Sequence, residues 1–452
     1  SAGRLGSLQH FIRTLESRGL LDRQLEFLPS DAEFSERKLR GQGMTRPELS
    51  ILLSYAKIVV FQQLLDSDVP EDAYLSASLT RLLAQNSTVL VGKAAHERYS
   101  MDPLGGVFIR SPKSMLGSRL TPAQTEIYTQ VATLLLGRIK QGAEQKLGHQ
   151  VERVLIGRPI HFQGIDLALG DERALAILNQ AASRVGFKEV DFAYEPVAAA
   201  IEYERHLTQE QLVLVVDIGG GTSDISLIRL GPAHSQKFDR SSDLLGHSGK
   251  RIGGVDMDIK LTIYGLMKLF GRQSLALDGK PLPGALFSDA VNIIDIHAQE
   301  RFYAEKTYDE LLDLKDLAAE PTLLNRFVQV YQQHLSYYLN QKAEQAKIGL
   351  TEHTAVDVLL DRIDQGLLQN LSQQQLMDAL YQELSGISKL IQQCLHSAGV
   401  KPDSIFVTGG ASAVPGVQQM LQQLLPDVPV IRGDQFGSVA MGLSKLASLR
   451  FG

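Results

Sequence analysis

The sequence predicts an α/β fold with mixed sheets, preceded by an all-helical segment. From about residue 86 onward, short apolar runs typical of strands alternate with longer helical segments, which is the pattern of α/β domains. In residues 1–85 the apolar residues recur at helical spacing instead. Within the α/β part, a glycine-rich turn joins two apolar runs at 212–228 and supplies a candidate anion site.

Composition restricts the class of protein before any motif is considered. A chain of 452 residues predicts two or more domains, and 44% hydrophobic with 21% charged residues is ordinary for a soluble globular protein. The net charge of −6 argues against a nucleic-acid partner, and no apolar run reaches the length of a membrane span. Cys394 is the only cysteine, which excludes a disulfide framework and a cysteine-based zinc site. We therefore expect a cytoplasmic protein without nucleic-acid or membrane partners.

The first 85 residues are predicted to form helices that act as a packing module. Ser30 with Glu33, and Thr45 with Glu48, fit capping boxes that begin helices. This segment offers no catalytic constellation.

The α/β part follows as alternating elements. Its predicted strands lie at 89–91, 107–109, 154–156, 212–216, 225–228 and 405–407. Its predicted helices include 122–146, 172–185, 371–398 and 415–425.

The turn between the runs 212–216 and 225–228 carries the strongest chemical signal. Its glycines bare backbone N–H groups that bind anions, and they let a phosphate approach the backbone closely. Two carboxylates and a hydroxyl beside the turn are suited to hold Mg²⁺ through its waters. The residues concerned are Asp217, Gly219, Gly220, Gly221, Thr222 and Asp224. An ordinary glycine-rich hairpin is the alternative, whereas a P-loop is excluded because a strand follows where that motif needs a helix.

Further motifs each admit a structural and a functional interpretation. Glu195 precedes Pro196 at a predicted helix start, where an acid is favourable anyway, but it is also suited to orient a water for attack on a phosphate. Glycine pairs at 253–254 and 409–410 permit either close approach of a ligand or plain tight turns. Three charged residues would ordinarily be solvated surface groups, namely Lys113, Glu344 and Lys347.

Taken in order, eight segments resemble the nucleotide-binding domain of the DnaK-type heat-shock chaperones, which are members of the actin-like ATPase superfamily with its ribonuclease-H-like, two-lobed fold. They are LVGKAA (90–95), VFIRSPKSMLG (107–117), VLIGRPIHF (154–162), YEPVAAA (194–200), VVDIGGGTSDIS (215–226), GGVDMD (253–258), KAEQAKIGLT (342–351) and VTGGASAVPGV (407–417). The resemblance runs from about residue 86 to the end. It implies a remainder of lobe one at 86–210 and a lobe two at 211–452. Segments 246–254 and 436–443 resemble the shorter bacterial members that lack a peptide-binding domain.

The resemblance implies a Mg²⁺-dependent ATPase that binds ATP and ADP. It implies that Asp217 binds hydrated magnesium and that Asp224 helps to order the metal and the water. It also implies that Glu195 positions the attacking water and that Lys113 reaches the γ-phosphate, so that Glu195, Asp217 and Lys113 are the implied catalytic residues. The residues implied to bind the phosphates are Gly219, Gly220 and Thr222, and those implied to line the adenosine pocket are Glu344, Lys347, Gly409 and Gly410. Gly221, Gly253 and Gly254 complete the implied nucleotide-binding set. Unfolded protein clients or co-chaperones are implied by kinship alone. We expect Asp217→Asn to abolish metal-dependent nucleotide binding and to leave unfolding of the nucleotide-free chain little changed.

The sequence also departs from that family. Residues 1–110 contain no Asp-x-Gly-Thr hairpin, so the first lobe's opening strands and half of the phosphate clamp are missing. In their place, about residues 4–80 resemble the C-terminal helical region of large bacterial NAD-dependent glutamate dehydrogenases, without that enzyme's catalytic or nicotinamide-binding motifs. Ile348 and Ala413 stand where the family often has arginines, which would weaken the hold on adenine.

Several functions stay open at this stage. The first is an ATPase impaired by loss of one phosphate hairpin, since loss of a single donor can cost about 10²–10³ in rate. The alternatives are a catalytically dead nucleotide-binding or interaction protein, or an artefactual fusion with a glutamate dehydrogenase fragment. A glutamate dehydrogenase activity and a sugar kinase of the same superfamily are less well supported by the residues.

Overall fold

The computed structural model describes residues 90, 92–101, 112–162, 167–433 and 437–452. The helical predictions for residues 1–85 and the predicted strand at 107–109 lie outside these residues. Of the predicted strand at 89–91 only Leu90 is described, and it belongs to no strand.

Nine strands and fourteen α-helices make up the described part of the chain. The strands are β1 Arg153–Arg158, β2 Glu189–Tyr194, β3 Gln211–Ile218, β4 Ser223–Leu230, β5 Leu244–Lys250, β6 Ala355–Leu359, β7 Leu368–Ser372, β8 Ser404–Thr408 and β9 Val430–Arg432. The helices are α1 Lys93–Met101, α2 Pro122–Leu147, α3 Leu167–Val185, α4 Glu195–Glu204, α5 Gly254–Leu261, α6 Ala285–Val291, α7 Ile296–Phe302, α8 Glu305–Leu317, α9 Pro321–Gln332, α10 Ser336–Gly349, α11 Gln373–Ala379, α12 Tyr381–Ala398, α13 Pro415–Leu424 and α14 Ser438–Phe451.

A five-stranded mixed sheet forms the centre, in the order β5-β4-β3-β8-β9. Strand β3 pairs antiparallel with β4 and parallel with β8, so the hairpin and the later strand 404–408 meet at one place. Strands β1 and β2 form a separate parallel pair, and β6 with β7 a small antiparallel one. The predicted α/β class with mixed sheets is therefore confirmed for the described residues.

The two faces of the central sheet belong to different cores. On β3, the alternate residues Leu214, Val216 and Ile218 point into the larger core, which also includes residues of α5, α10 and α12. Val213 and Val215 point to the opposite face, which α4 and α14 cover. This alternation follows from the two-residue period of a strand. It places every odd-numbered residue of β3 on the face that carries α4.

Helices α4 and α14 cross in close contact. Gly442 of α14 lies so near the Ala198 carbonyl of α4 that a Cβ at that position would overlap it. Helix α4 begins directly after β2. Pro196 lies in its first turn, where a proline is acceptable. Helix α14 was not among the helices predicted from sequence.

One predicted helix is wrong in its extent. Residues 371–398 were expected to form a single helix, but Leu371 lies in β7, where it pairs with Val356. The helix then begins after Ser372, whose side chain and that of Gln375 form a capping box. A break at Leu380 separates α11 from α12. The cap lies in the polar stretch 372–375, and the predicted helix was extended across it to Leu371.

Candidate nucleotide and magnesium site

Two carboxylates meet at the end of the β3–β4 hairpin. Asp217 and Asp224 are directly opposite each other in the antiparallel register, so their side chains share one face of the sheet. Val215 lies on the same face of the sheet, and α4 covers that face. The sequence expectation that these two acids flank one turn is therefore confirmed as a spatial pairing.

The turn itself is closed by backbone contacts. The Gly219 N–H donates to the Thr222 carbonyl over 2.9 Å. The first residues of α5 bind the same turn, since the Gly254 N–H donates to the Gly219 carbonyl over 2.9 Å. A Cβ on Gly253 would lie 2.5 Å from the Gly221 nitrogen. The glycine pair 253–254 therefore packs directly on the turn, and any larger residue at 253 would displace it.

Both carboxylates are held in an environment that disfavours their charge. Burial, then the neighbouring Asp224 and Glu195, raise the pKa of Asp217 to about 7, against a lowering effect of Lys113. Burial raises the pKa of Asp224 to about 6, although Lys113 and a hydrogen bond from Thr222 act in the opposite direction. The Thr222 hydroxyl donates to Asp224 Oδ2 over 3.0 Å. A cation placed between the two acids would relieve this unfavourable interaction.

Gly409 lies against the carboxylate of Asp217. Strand β8 runs beside β3, with Thr408 opposite Asp217. Gly409 has φ +85°, and a Cβ there would be 2.5 Å from Asp217 Oδ1 and still closer to the Ile218 carbonyl. The resemblance assigned Gly409 to the adenosine pocket. The structure places it at the carboxylate, where the absence of a side chain leaves room for the Asp217 oxygen.

Lys113 and Glu195 form an ion pair beside the two aspartates. Lys113 lies in the 3₁₀ turn Pro112–Met115, and Glu195 is the first residue of α4. Both affect the pKa of Asp217, Glu195 by raising it and Lys113 by lowering it, so the four charged groups occupy one electrostatic neighbourhood. Gly157 of β1 makes room for Glu195, because a Cβ there would lie 3.0 Å from the glutamate Cγ. The interpretation of Lys113 as a surface lysine agrees with its 43% exposed side chain, and the structure adds the ion pair with Glu195.

A second group of predicted residues gathers on the other side of the turn. Lys347 is buried, with its ammonium 2.6 Å from Asp258 Oδ1, and it donates to the Gly254 carbonyl over 2.9 Å. The interpretation of Lys347 as a solvated residue is therefore wrong. A Cβ on Gly254 would lie 3.3 Å from both Lys347 Nζ and the Ala411 Cβ. These contacts bring segments 253–254, 347 and 409–413 together.

The remaining predicted residues are peripheral to these contacts. Glu344 lies one turn before Lys347 on α10 and is half-buried, and Gly410 begins the 3₁₀ turn Gly410–Ala413. Ile348 is 60% exposed, so an apolar side chain faces solvent where the family often has arginine. Asp258 was not among the residues predicted from sequence, although it is the partner of Lys347. Its only sequence signal is its place as the second acid in the segment 253–258.

The donor chemistry fits hydrated magnesium better than a directly chelated metal. No group of three or more histidine, cysteine, aspartate or glutamate side chains within the described residues is arranged to hold a metal ion. Asp217 and Asp224 supply hard oxygen donors that repel each other, and magnesium commonly keeps several waters while it binds one or two carboxylates. These two acids are therefore the residues that would hold it.

A cavity of about 390 Å³ lies away from these residues, between β2 and α14. Three arginines line it, but each is paired with an acid of the protein: Arg158 with Asp171, Arg240 with Glu204 and Asp243, and Arg450 with Asp191. We therefore do not assign the nucleotide to this cavity.

None of the helices in the described part of the chain is both long enough and apolar enough to cross a membrane.

Comparison with known proteins supports the α/β assignment. The family described as Hsp70 protein matches residues 113–280. The chaperone protein DnaK of Thermus thermophilus is 23% identical over 396 residues, which cover 81% of this chain and 55% of that protein. A chaperone protein HscA homolog of a Shewanella species is 24% identical over 339 residues, covering 74% of this chain and 43% of the relative. The chain thus spans about half the length of these relatives. The resemblance to DnaK-type chaperones is confirmed, and it implies the actin-like ATPase fold.

The beginning of the chain matches a different protein. The family described as glutamate dehydrogenase, C-terminal, matches residues 41–85. NAD-specific glutamate dehydrogenases of Halomonas elongata and Pseudomonas aeruginosa are 50% identical over 78 residues and 51% identical over 76 residues. Each match covers 17% of this chain and only 5% of the dehydrogenase. The second resemblance is therefore confirmed as well.

Proposed function

We propose that the α/β part binds ATP with magnesium and acts as an actin-like ATPase. The observation that carries this proposal is the meeting of Asp217 and Asp224 with the Lys113–Glu195 pair beside the glycine turn. Phosphoryl transfer needs positioned charges and a metal more than it needs covalent chemistry. This cluster offers both an anion-binding turn and the acids for a cation.

Each residue of the cluster has a distinct role in the proposal. Magnesium would neutralise phosphate charge when it is bound at Asp217 and Asp224. The turn 219–222 binds the phosphates through its backbone N–H groups. Glu195 orients the attacking water and accepts its proton, and Lys113 leaves its ion pair with Glu195 to contact the γ-phosphate.

The proposal includes a reduced rate of hydrolysis. The chain has one Gly-rich phosphate hairpin, and residues 1–110 contain no second one of Asp-x-Gly-Thr type. A protein that binds ATP without hydrolysing it is the second candidate, and this missing hairpin is the observation that favours it. We also propose that residues 1–85 were joined to the ATPase part from an unrelated sequence, because the two family matches cover separate stretches of the chain. A cytoplasmic location and protein clients are proposed by kinship only.

Steady-state phosphate release tests hydrolysis. We expect Glu195→Gln to lower the rate about 10²- to 10⁴-fold, the contribution typical of a general base. Glu202→Gln on the same helix α4 is the matched control, and its rate should be unchanged. Equal rates in the two variants would remove Glu195 from the mechanism. Nucleotide binding without measurable release by the unaltered chain would establish the second candidate.

A further inference from the structure

Arg251 lies beside the glycine turn and has no role in the catalysis proposed above. It directly follows Lys250, the last residue of β5, and its side chain is exposed. Among the described residues Arg251 forms no ion pair, and its Nη1 lies 3.9 Å from the Met115 sulfur. Because a thioether is only a weak acceptor and a guanidinium has five N–H donors, Arg251 keeps most of its donors for another partner.

The side chain of Arg251 lies on the same face of the central sheet as the two aspartates. The Ser248 hydroxyl donates to a carbonyl of α12, and the Ile252 side chain lies against α12 as well. Successive residues of an extended chain alternate between faces, so Arg251 faces away from α12. Asp224 pairs with Gly249, two residues before Arg251, and therefore shares its face.

Arg251 approaches the glycine turn from the side of Lys113. The contact of its guanidinium with Met115 places it beside the 3₁₀ turn that also carries Lys113. Lys347 approaches the same turn through the Gly254 carbonyl, with the group of residues assigned to the adenosine. Arg251 is therefore located at the end of the site that the proposed function assigns to the γ-phosphate.

The charges already assigned to this end of the site are mostly negative. Asp217, Asp224 and Glu195 are acids, whereas Lys113 is the cation among the four groups and is paired with Glu195. A triphosphate brings further negative charge, which bound magnesium offsets only in part. A second cation on the same face would lower the electrostatic cost of placing the terminal phosphate there. Arginine suits this role because its planar group donates two parallel hydrogen bonds to a phosphate.

We propose that Arg251 binds the γ-phosphate, so that the site distinguishes a nucleoside triphosphate from a diphosphate. The proposal rests on the proposed function, because it assigns a further residue to the same site. The guanidinium donates to two γ-phosphate oxygens when a triphosphate is bound, and this contact is absent with a diphosphate. Arg251 thereby supplies positive charge in a chain that has one Gly-rich phosphate hairpin.

Calorimetric titration with two nucleotides tests the assignment, using Mg-ADP and the magnesium complex of the non-hydrolysable triphosphate AMP-PNP. We expect Arg251→Gln to weaken binding of AMP-PNP about 10- to 100-fold, the effect typical of hydrogen bonds to a charged group, and to leave binding of ADP unchanged. Arg251→Lys should retain part of the affinity, because it keeps the charge but not the paired donors. Lys250→Gln is the matched control. Its side chain is exposed on the opposite face, and both affinities should be unchanged.

The outcomes separate this inference from the proposed function. If Arg251→Gln binds AMP-PNP as tightly as the unaltered chain does, the inference is overturned and the nucleotide site stands. Equal weakening of AMP-PNP and ADP would overturn it too, because Arg251 would then not respond to the γ-phosphate. If the unaltered, folded chain binds neither nucleotide, the proposed function is refuted and this inference with it.

Discussion

The raised pKa of Asp217 leads to a stability prediction for the nucleotide-free chain. Folding raises this pKa from 3.8 to about 7, so the ionised carboxylate destabilises the folded state. Because a tenfold change in proton affinity corresponds to about 1.36 kcal/mol, the cost reaches about 4 kcal/mol as an upper bound. Asp217→Asn removes the charge and keeps the shape. Because a buried amide has its own desolvation cost, we expect a net gain of about 2 kcal/mol at pH 8.

The sign of the pH dependence follows from the direction in which folding moves the pKa. A raised pKa means that the folded chain binds more protons than the unfolded chain between pH 3.8 and about 7. The penalty is absent below pH 3.8, grows through this window and is complete above about pH 7. The stability gain of Asp217→Asn should therefore shrink as the pH is lowered from 8 to 5. This revises the expectation from sequence that unfolding would be little changed.

Urea unfolding at pH 5, 6.5 and 8, followed by far-ultraviolet circular dichroism, measures the effect. Asp313→Asn, at an exposed position of α8, is the control and should change the free energy of unfolding by less than about 0.5 kcal/mol at every pH. A variant Asp217→Asn that is no more stable than the unaltered chain at pH 8 would refute the reasoning. A gain that is the same at all three pH values would refute it equally.

Three further substitutions test the packing around the site. Gly409→Ala should destabilise the fold by about 2–4 kcal/mol and weaken magnesium-dependent binding, because its Cβ would meet the Asp217 carboxylate at a positive φ. Gly442→Ala should cost about 2–3 kcal/mol, since its Cβ would overlap the Ala198 carbonyl where α14 crosses α4. Arg240→Ala should cost about 3–5 kcal/mol, because it removes the guanidinium that pairs with the buried carboxylates of Glu204 and Asp243. Denaturant unfolding at pH 7.5 measures all three.

Each substitution has a matched control. Gly279 has φ +82° but an added Cβ there would meet nothing within 4 Å, so Gly279→Ala should cost only about 1 kcal/mol. Gly142→Ala, in an open position of α2, should stabilise by about 0.5–1 kcal/mol. Arg450→Ala removes a solvent-exposed ion pair and should cost at most about 1 kcal/mol. If a control lowers the free energy of unfolding as much as its test substitution does, the contact assigned to the test residue is contradicted.

The sequence predicted the hairpin well because local chemistry determines it. An apolar run, an acid, three glycines and a second apolar run leave few alternatives to a strand–turn–strand, and Asp217 and Asp224 then face each other by register alone. The helix start at Glu195 was predictable for the same reason, since the acid and Pro196 both favour the first turn.

Long-range pairing could not be predicted in the same way. Nothing near Lys347 in the sequence reveals that Asp258, on a different helix, supplies its buried partner. The ion pair of Lys113 with Glu195 joins positions 82 residues apart, and a lysine in a short turn looks like a surface residue when taken alone. The role of Gly409 depends on β8 lying beside β3, which is a property of the sheet order and not of the glycine pair.

Calorimetric titration of Mg-ATP into the unaltered chain and into Asp217→Asn tests the central claim most directly. The account predicts saturable binding by the unaltered chain that depends on magnesium and is lost in the variant, although the variant is folded and more stable. Absence of binding by the folded, unaltered chain would contradict the nucleotide site. Equal binding by both chains would contradict the assignment of magnesium to Asp217.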